Sequence, residues 1–178
     1  MALIGKADII RALGRLGQLA VEQGHKVEVV IVGGALMVLA YDARPSTRDV
    51  DVAIIDPHAA GYVRSLAVRV ASEFGWPEDW LNDGAKGYLV GLSSGPVIFA
   101  AAGIEALSPS LAQLLAMKLS AWRDDVDVAD ARRLLQEMPA DRDREQIWQS
   151  VSPYLVPGSE LKAEYAFSDL WEDIHGGT

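Results

Sequence analysis

The sequence contains no cysteine among its 178 residues, and this absence excludes several kinds of chemistry. Without cysteine the chain has no disulfide framework of the kind that holds small secreted domains together. A thiolate zinc site and a cysteine nucleophile are excluded for the same reason. The composition suits a reducing compartment, and we expect a cytoplasmic protein.

Long hydrophobic runs are also missing. Every apolar stretch is interrupted by charges or by a glycine pair before it reaches the about 18 residues that a membrane-spanning helix needs. The first ten residues contain Lys6 and Asp8, and they lack the apolar core and cleavage site of a secretory signal. We therefore expect a soluble chain with no membrane partner.

Positive charge is scarce, because 16 Lys and Arg residues face 25 Asp and Glu residues and leave a formal net charge of −9. Proteins that bind nucleic acid without sequence preference show the opposite balance. We expect no stable DNA binding, and an RNA partner would need a local basic patch. The hydrophobic fraction of 50% is enough for a folded core.

Hydrophobic periodicity predicts an alternation of helices and strands in the first part of the chain. The predicted elements are a helix over Lys6–Gln23, a strand over Val27–Val32, a helix over Ala35–Tyr41, a strand over Val50–Ile55, a helix over Ala59–Phe74, and two strands, Gly87–Leu92 and Pro96–Ala102, joined as a hairpin by Ser93–Gly95. The residues between Trp76 and Lys86 are predicted to be a polar connection.

The sequence becomes helical from Ser108 onward. Ser108-Pro109 is expected to cap a helix that runs to Trp122, a second helix ends at Pro139, and short helices follow in the tail. We therefore predict an α+β fold with two parts. Residues 1–107 form an α/β core with a mixed sheet flanked by helices, and residues 108–178 form a helical C-terminal subdomain that packs on it.

The most informative residues are a glycine pair and an aspartate pair. Gly33-Gly34 joins a predicted strand to a helix, where small residues let backbone N–H groups approach a phosphate. Asp49 and Asp51 alternate along a strand, so both side chains project from one face and can hold a divalent ion. Magnesium usually takes one or two protein carboxylates and completes its shell with phosphate and water, so the two features predict one metal and phosphate site.

Simpler interpretations remain open for each pair alone, namely an ordinary turn and a solvated strand end. Three other phosphate chemistries do not fit the context. The dinucleotide fingerprint needs a third glycine, which is absent after Gly34, and no Walker-type sequence is present. A phosphatase that forms an aspartyl-phosphate places its Asp-x-Asp after a hydrophobic strand, whereas here the apolar run Val52–Ile55 follows the pair.

Two blocks of sequence resemble a known family. Gly33-Gly34-Ala35 followed by Arg44–Asp51 resembles the glycine-turn and Asp-x-Asp signature of the nucleotidyltransferase superfamily that includes DNA polymerase β, in particular its bacterial minimal members. Leu115–Leu119 followed by Arg123, Asp127 and Asp130 is similar to the second conserved block of AbiEii-like toxins and related nucleotidyltransferase-like proteins. Together the blocks cover more than half of the chain.

The resemblance implies a nucleotidyltransferase-like sheet and the Mg²⁺-dependent transfer of an NMP from an NTP to an acceptor hydroxyl. Some relatives modify tRNA ends and act as toxins restrained by a neighbouring antitoxin, so the expected acceptor is tRNA or a protein. The expected metal ligands and catalytic residues include Asp49 and Asp51. The residues expected to bind the nucleotide are Gly33, Gly34, Ser46, Thr47, Arg48 and Lys118.

Lys118 and Asp127 complete the expected catalytic set. An ammonium group at Lys118 can stabilise charge that grows on pyrophosphate, although a lone helical lysine is more often solvated. Asp127 and Asp130 lie three residues apart on a helix and share a face, as a capping, salt-bridging or metal-proximal pair.

One departure from the family pattern leaves a second function open. Many members place a third acidic ligand on a later strand, yet Tyr88–Gly103 contains no Asp or Glu. The alternative is a catalytically degenerate module of the same fold that binds a nucleotide or another protein.

Overall fold

Residues 3–176 are described by a computed structural model, and they form the predicted α+β fold with seven α-helices, a mixed five-stranded sheet and a small two-stranded sheet. The chain divides into two compact units. The first runs as far as Ala85 and includes Gly95–Ser108, and the second combines Lys86–Ser94 with the chain from Pro109 onward. The prediction divided the chain once, between residues 107 and 108, and assigned residues 86–94 to the first part.

The strands of the first unit are β1 (Ile4–Gly5), β2 (Val27–Val32), β3 (Ser46–Thr47), β4 (Val50–Ile54), β5 (Leu81–Asn82), β6 (Val97–Ala101) and β7 (Ile104–Leu107). The large sheet has the order β5-β4-β2-β7-β6, and β1 pairs with β3 separately. β2 lies antiparallel to β4 and parallel to β7, while β5 runs parallel to β4. β2 is central, which explains why its β-branched residues are all buried. Glu28 is its one exposed residue.

Three helices belong to the first unit: α1 (Lys6–Glu22), α2 (Gly33–Leu39) and α3 (Ala60–Phe74). The apolar stripe of α1, including Leu13 and Leu16, is completely buried. α3 ends at Gly75, which adopts the left-handed conformation at φ +66°. The predicted helices and the strands β2 and β4 are confirmed to within about two residues at each end, the usual uncertainty of element boundaries.

The predicted hairpin is wrong, although its second strand, Pro96–Ala102, is confirmed as β6. Residues 89–92 form no strand, and Gly84–Tyr88 is a short 3₁₀ helix. The actual hairpin pairs β6 with β7 across Ala102-Gly103, where Gly103 has φ +77° and so makes the tight turn possible.

The second unit contains the remaining helices: α4 (Leu111–Ala121), α5 (Asp125–Gln136), α6 (Arg144–Val151) and α7 (Glu160–His175). The predicted cap of α4 at Ser108 is wrong, because Ser110 Oγ accepts the hydrogen bond from the Gln113 backbone N–H. Asp124 caps α5 in the same way. Within residues 3–176, no helix has both the length and the apolar character needed to cross a membrane.

Gln113 of α4 explains why the segment 86–94 belongs to the second unit. Its side chain is completely buried, and its Nε2 donates to the carbonyl oxygens of Val90 and Gly91 at 3.1 Å each. Its Oε1 accepts from both the backbone N–H and the hydroxyl of Ser93, at 2.8 and 2.6 Å. Three backbone polar groups of the segment, on Val90, Gly91 and Ser93, are therefore satisfied by one helical side chain instead of a β-ladder.

Candidate functional site

The antiparallel pairing of β2 with β4 brings the glycine turn to the aspartate pair. Asp51 lies directly opposite Val32, the last residue of β2, and Gly33 follows at the start of α2. Gly33 has φ +61°, and a Cβ atom at this position would lie 2.8 Å from Asp51 Oδ2. Glycine is required there both for the left-handed backbone and for the space that the carboxylate occupies.

Asp49 is held at the same site by a residue of the neighbouring strand β5. It precedes β4 directly, and its Oδ2 accepts a 3.3 Å hydrogen bond from Asn82 Nδ2. Asn82 belongs to β5, where it is paired across the ladder with Asp51. Asn82 therefore adjoins both half-buried aspartates, Asp49 through its side chain and Asp51 through the ladder.

Asn82 is a site residue that the sequence prediction missed. β5 is two residues long and lies inside the stretch that was predicted to be a polar connection. The available signal was the sequence Leu81-Asn82-Asp83-Gly84, in which an apolar residue is followed by polar residues and a glycine. Gly84 also faces the site, because a Cβ atom on it would lie 3.4 Å from Asp51 Oδ1.

The other side of the glycine turn faces a cation and a hydroxyl. A Cβ atom on Gly34 would overlap Thr47 Oγ1 and would lie 2.9 Å from Arg44 Nη2. Thr47 is 7% exposed and lies in β3 beside half-buried Ser46, while Arg48 is exposed. Thr47, one of the residues predicted to bind the nucleotide, therefore lies close to Gly34, and Arg44 joins it there.

The donor set suits a hard cation. Asp49 and Asp51 supply carboxylate oxygens, the kind of donor that magnesium prefers. Among residues 3–176, no group of three or more histidine, aspartate or glutamate side chains is placed to hold a metal ion. The two aspartates therefore fit an ion that takes the rest of its ligands from water and phosphate.

Lys118 and Asp127 lie in the second unit, where they form a network of ion pairs. Lys118 Nζ donates to Asp127 Oδ1 at 3.0 Å and lies 2.7 Å from Asp130 Oδ2. Arg123 donates to Asp127 Oδ2 from both its side chain and its backbone. The side chains of Asp127 and Asp130 are each 2% exposed and that of Lys118 is 12% exposed, so Lys118 is not an ordinary solvated lysine.

Two opposing effects act on the pKa of Asp127. Burial by itself raises the pKa, but the hydrogen bonds from Arg123 and the charge of Lys118 outweigh it and lower the pKa to about 2. The pKa of Arg123 is raised by the same pairing. Of the roles considered for Asp127 and Asp130, the structure describes a salt-bridging pair, and a catalytic role for Lys118 and Asp127 stays a prediction.

The chain matches no protein-family model, no curated protein and no solved structure. The assignment of function therefore depends on the arrangement of Gly33, Asp49, Asp51 and Asn82 and on the chemistry that these residues permit.

Proposed function

We propose that this chain is a Mg²⁺-dependent nucleotidyltransferase, a bacterial minimal member of the superfamily that its sequence resembles. The observation that supports this most strongly is the position of Asp51. Its Oδ2 lies 2.8 Å from the place that a Cβ atom on Gly33 would take, so an acidic side chain packs directly against the left-handed glycine of the turn. Neither an ordinary turn nor a solvated strand end requires that combination.

In this proposal Asp49 and Asp51 hold the magnesium ion against the triphosphate. When bound, magnesium supplies Lewis-acid stabilisation of charge on the phosphate oxygens and orients them. Asn82 keeps the Asp49 carboxylate directed towards the site through its 3.3 Å hydrogen bond. Asp51 is held by its place in the ladder between β2 and β5.

The triphosphate is proposed to bind along the glycine turn. Gly33 and Gly34 expose backbone to the phosphates, Thr47 offers a hydroxyl, and Arg44 offers a guanidinium group that pairs well with phosphate oxygens. Ser46 and Arg48, next to Thr47, are further proposed ligands. The aspartates proposed for the metal and the residues proposed for the triphosphate then both adjoin the glycine turn.

The proposed reaction is an in-line transfer. The oxygen of an acceptor hydroxyl bonds to the α-phosphorus, the bond from that phosphorus to the bridging oxygen breaks, and pyrophosphate leaves with the bonding electrons. The hydroxyl proton passes to water. The proposed acceptor is a tRNA end or a protein, and an antitoxin that blocks the site is a proposed partner.

The experiment incubates labelled NTPs and magnesium with total tRNA and with lysate protein. We expect the wild type to label one acceptor, and Asp49→Asn and Asp51→Asn to lose transfer by at least about 100-fold while keeping their thermal unfolding midpoints. Asp169→Asn, the same change on an exposed residue of α7, is the matched control and should label normally. Full activity in either site variant would refute the assignment.

A second candidate is a degenerate module that binds a nucleotide without transferring it. Two observations favour this alternative. Asn82, which lies opposite Asp51, is neutral, and within residues 3–176 no third carboxylate joins the aspartate pair in a metal-binding group. Calorimetry with each NTP and magnesium separates the candidates. Metal-dependent binding without any labelled acceptor would favour the degenerate module.

A further inference from the structure

The two edges of the five-stranded sheet differ in how they are protected. β5 forms one edge, and it is only two residues long and is followed directly by Asp83. Short edge strands and charged side chains both discourage other strands from pairing with an edge. β6 forms the other edge, and among residues 3–176 the only strand that pairs with it is β7. The outer side of β6 therefore offers backbone N–H and C=O groups to a further strand.

β6 also exposes apolar side chains. Its sequence is Val-Ile-Phe-Ala-Ala, yet none of the five residues is buried, and Val97 is 50% exposed. Each of the other four strands of this sheet has at least one buried residue. Phe99 is half-buried, because its Cζ lies 4.0 Å from the place that a Cβ atom on Gly14 of α1 would take. A strand of this composition is stabilised when a further strand covers it.

The charge around β6 indicates which partner suits this edge. Between Lys86 and Glu105 the sequence has no charged residue, whereas the whole chain carries a formal net charge of −9. Two copies of an acidic chain repel each other, and this repulsion is smallest where both surfaces are uncharged. An uncharged strand has no group that would attract a basic or an acidic partner. The edge therefore suits a second copy of this chain better than a partner of either charge.

The ladder between β6 and β7 sets how two copies align. Its register shifts between Val97 and Phe99, and the turn at Ala102-Gly103 ends the strand. Regular pairing is thereby limited to Phe99–Ala101, whose middle residue is the exposed Ala100. An antiparallel pair of identical strands has a two-fold axis, so the middle residue of one copy lies opposite the same residue of the other.

We propose that this chain forms a two-fold symmetric dimer in which β6 pairs antiparallel with β6 of a second copy, with the two Ala100 residues opposite each other. Each copy covers the open edge of the other, and the two five-stranded sheets become one continuous sheet. Pairing through so few residues buries much less than the about 800 Å² per partner of a standard interface. The dimer is therefore weak, with a dissociation constant on the order of 10–100 µM. It does not depend on the proposed function.

Sedimentation equilibrium of the full chain from about 1 to 300 µM tests for this dimer. The wild type should change from monomer to dimer over this range. Ala100→Glu should weaken association by about fivefold or more, because it places two carboxylates opposite each other and next to Glu105 of each copy. Ala140→Glu, the same change on an exposed residue outside the sheet, should associate as the wild type does.

Cysteine cross-linking tests the alignment of the two strands. The chain has no cysteine, so a single substitution supplies its only thiol. Opposite residues of an antiparallel pair have Cβ atoms about 4.5–5.5 Å apart, and a small adjustment brings them within reach of a disulfide. Under mild oxidation, Ala100→Cys should form a disulfide-linked dimer at least about tenfold faster than Ala140→Cys, whose thiol is exposed but outside the sheet.

Each result supports or overturns the proposal. A wild type that stays monomeric at every concentration overturns it and leaves the edge to a segment of another protein. If the wild type dimerises and Ala100→Glu dimerises equally well, the contact lies elsewhere and the proposal is also overturned. If Ala100→Glu does not fold by circular dichroism, the two cysteine variants decide, and equal rates of cross-linking overturn the proposal.

Discussion

Asp51 Oδ2 lies 2.8 Å from the point where a Cβ atom on Gly33 would be. The same glycine has φ +61°, a conformation that costs an L-residue roughly 1–2 kcal/mol. A side chain at Gly33 would therefore meet two penalties, one from the backbone and one from the carboxylate. Another glycine of the first unit, Gly24, meets only the first penalty, which allows the two to be separated.

Gly33→Ala is expected to abolish nucleotide binding, because the added methyl group displaces the Asp51 carboxylate. Gly24→Ala is the matched control, since Gly24 has φ +75° but no atom within 4 Å of the place that an added methyl carbon would take. Both variants should lose about 1 kcal/mol or more of unfolding free energy, measured in urea. Calorimetry with Mg²⁺ and NTP should then distinguish them, and wild-type affinity in Gly33→Ala would contradict the arrangement proposed for the site.

The Asp127 network predicts a loss of stability in acid. The folded-state pKa of Asp127, about 2, lies below its ordinary value of 3.8, so the protein gains stability above pH 3.8 and loses it as the pH falls towards 2. We expect a contribution on the order of 2 kcal/mol, measured as unfolding free energy against pH. In Asp127→Asn this acid-dependent component should disappear, whereas exposed Asp169→Asn should retain it. If the difference in unfolding free energy between the wild type and Asp127→Asn stays constant between pH 4 and pH 2, the lowered pKa of Asp127 is ruled out.

Loss of the Gln113 side chain is expected to release the segment that it holds. Gln113→Ala leaves the carbonyls of Val90 and Gly91 without their donor and removes the acceptor for Ser93, which should cost about 2 kcal/mol. Hydrogen exchange at the Ser93 amide is the direct measurement, and its protection should fall. Exposed Gln136→Ala should change neither quantity, and unchanged protection at Ser93 in Gln113→Ala would contradict this account.

Two helical glycines should respond to alanine in opposite directions. A Cβ atom on Gly17 of α1 would overlap the Ala102 carbonyl oxygen and lie 2.6 Å from Ile104 Cγ2, so Gly17→Ala should destabilise the protein by about 1–3 kcal/mol. Gly61 of α3 has open space, and Gly61→Ala should stabilise it by about 0.5 kcal/mol through helix propensity. Thermal unfolding of both variants checks the pair, and a stabilised Gly17→Ala would mean that α1 packs less closely on this hairpin.

Local patterns predicted the elements that bury a continuous stripe or run of side chains. The helix α1 and the strand β2 were found because their apolar spacing alone distinguishes a helix from a strand. β5 was missed because two residues show no periodicity, and only its pairing with β4 makes it a strand. The false strand over Gly87–Leu92 has strand-like composition, but the carbonyls of Val90 and Gly91 bond to Gln113, more than 20 positions further along the chain.

The candidate site, like the fold, was predicted only in part from the sequence. Asp49, Asp51 and the glycine pair stand out because their residue types and spacing have a direct chemical meaning. Asn82 does not, because its role comes from being opposite Asp51 in a parallel ladder. Likewise, the spacing of Asp127 and Asp130 predicted a shared face, but the cation that joins them, Lys118, is on the preceding helix.

The central position of β2 has a consequence for how the chain is made. One neighbour of β2, β4, leaves the ribosome soon after it, whereas the other neighbour, β7, is translated only after the segment 86–94 that belongs to the second unit. Until Ile104–Leu107 has emerged, one long edge of an apolar strand is open to pairing with other nascent chains. A truncated product that stops before β7 would keep that edge permanently, so the shortest piece worth expressing alone ends after Leu107 and not at Ala85.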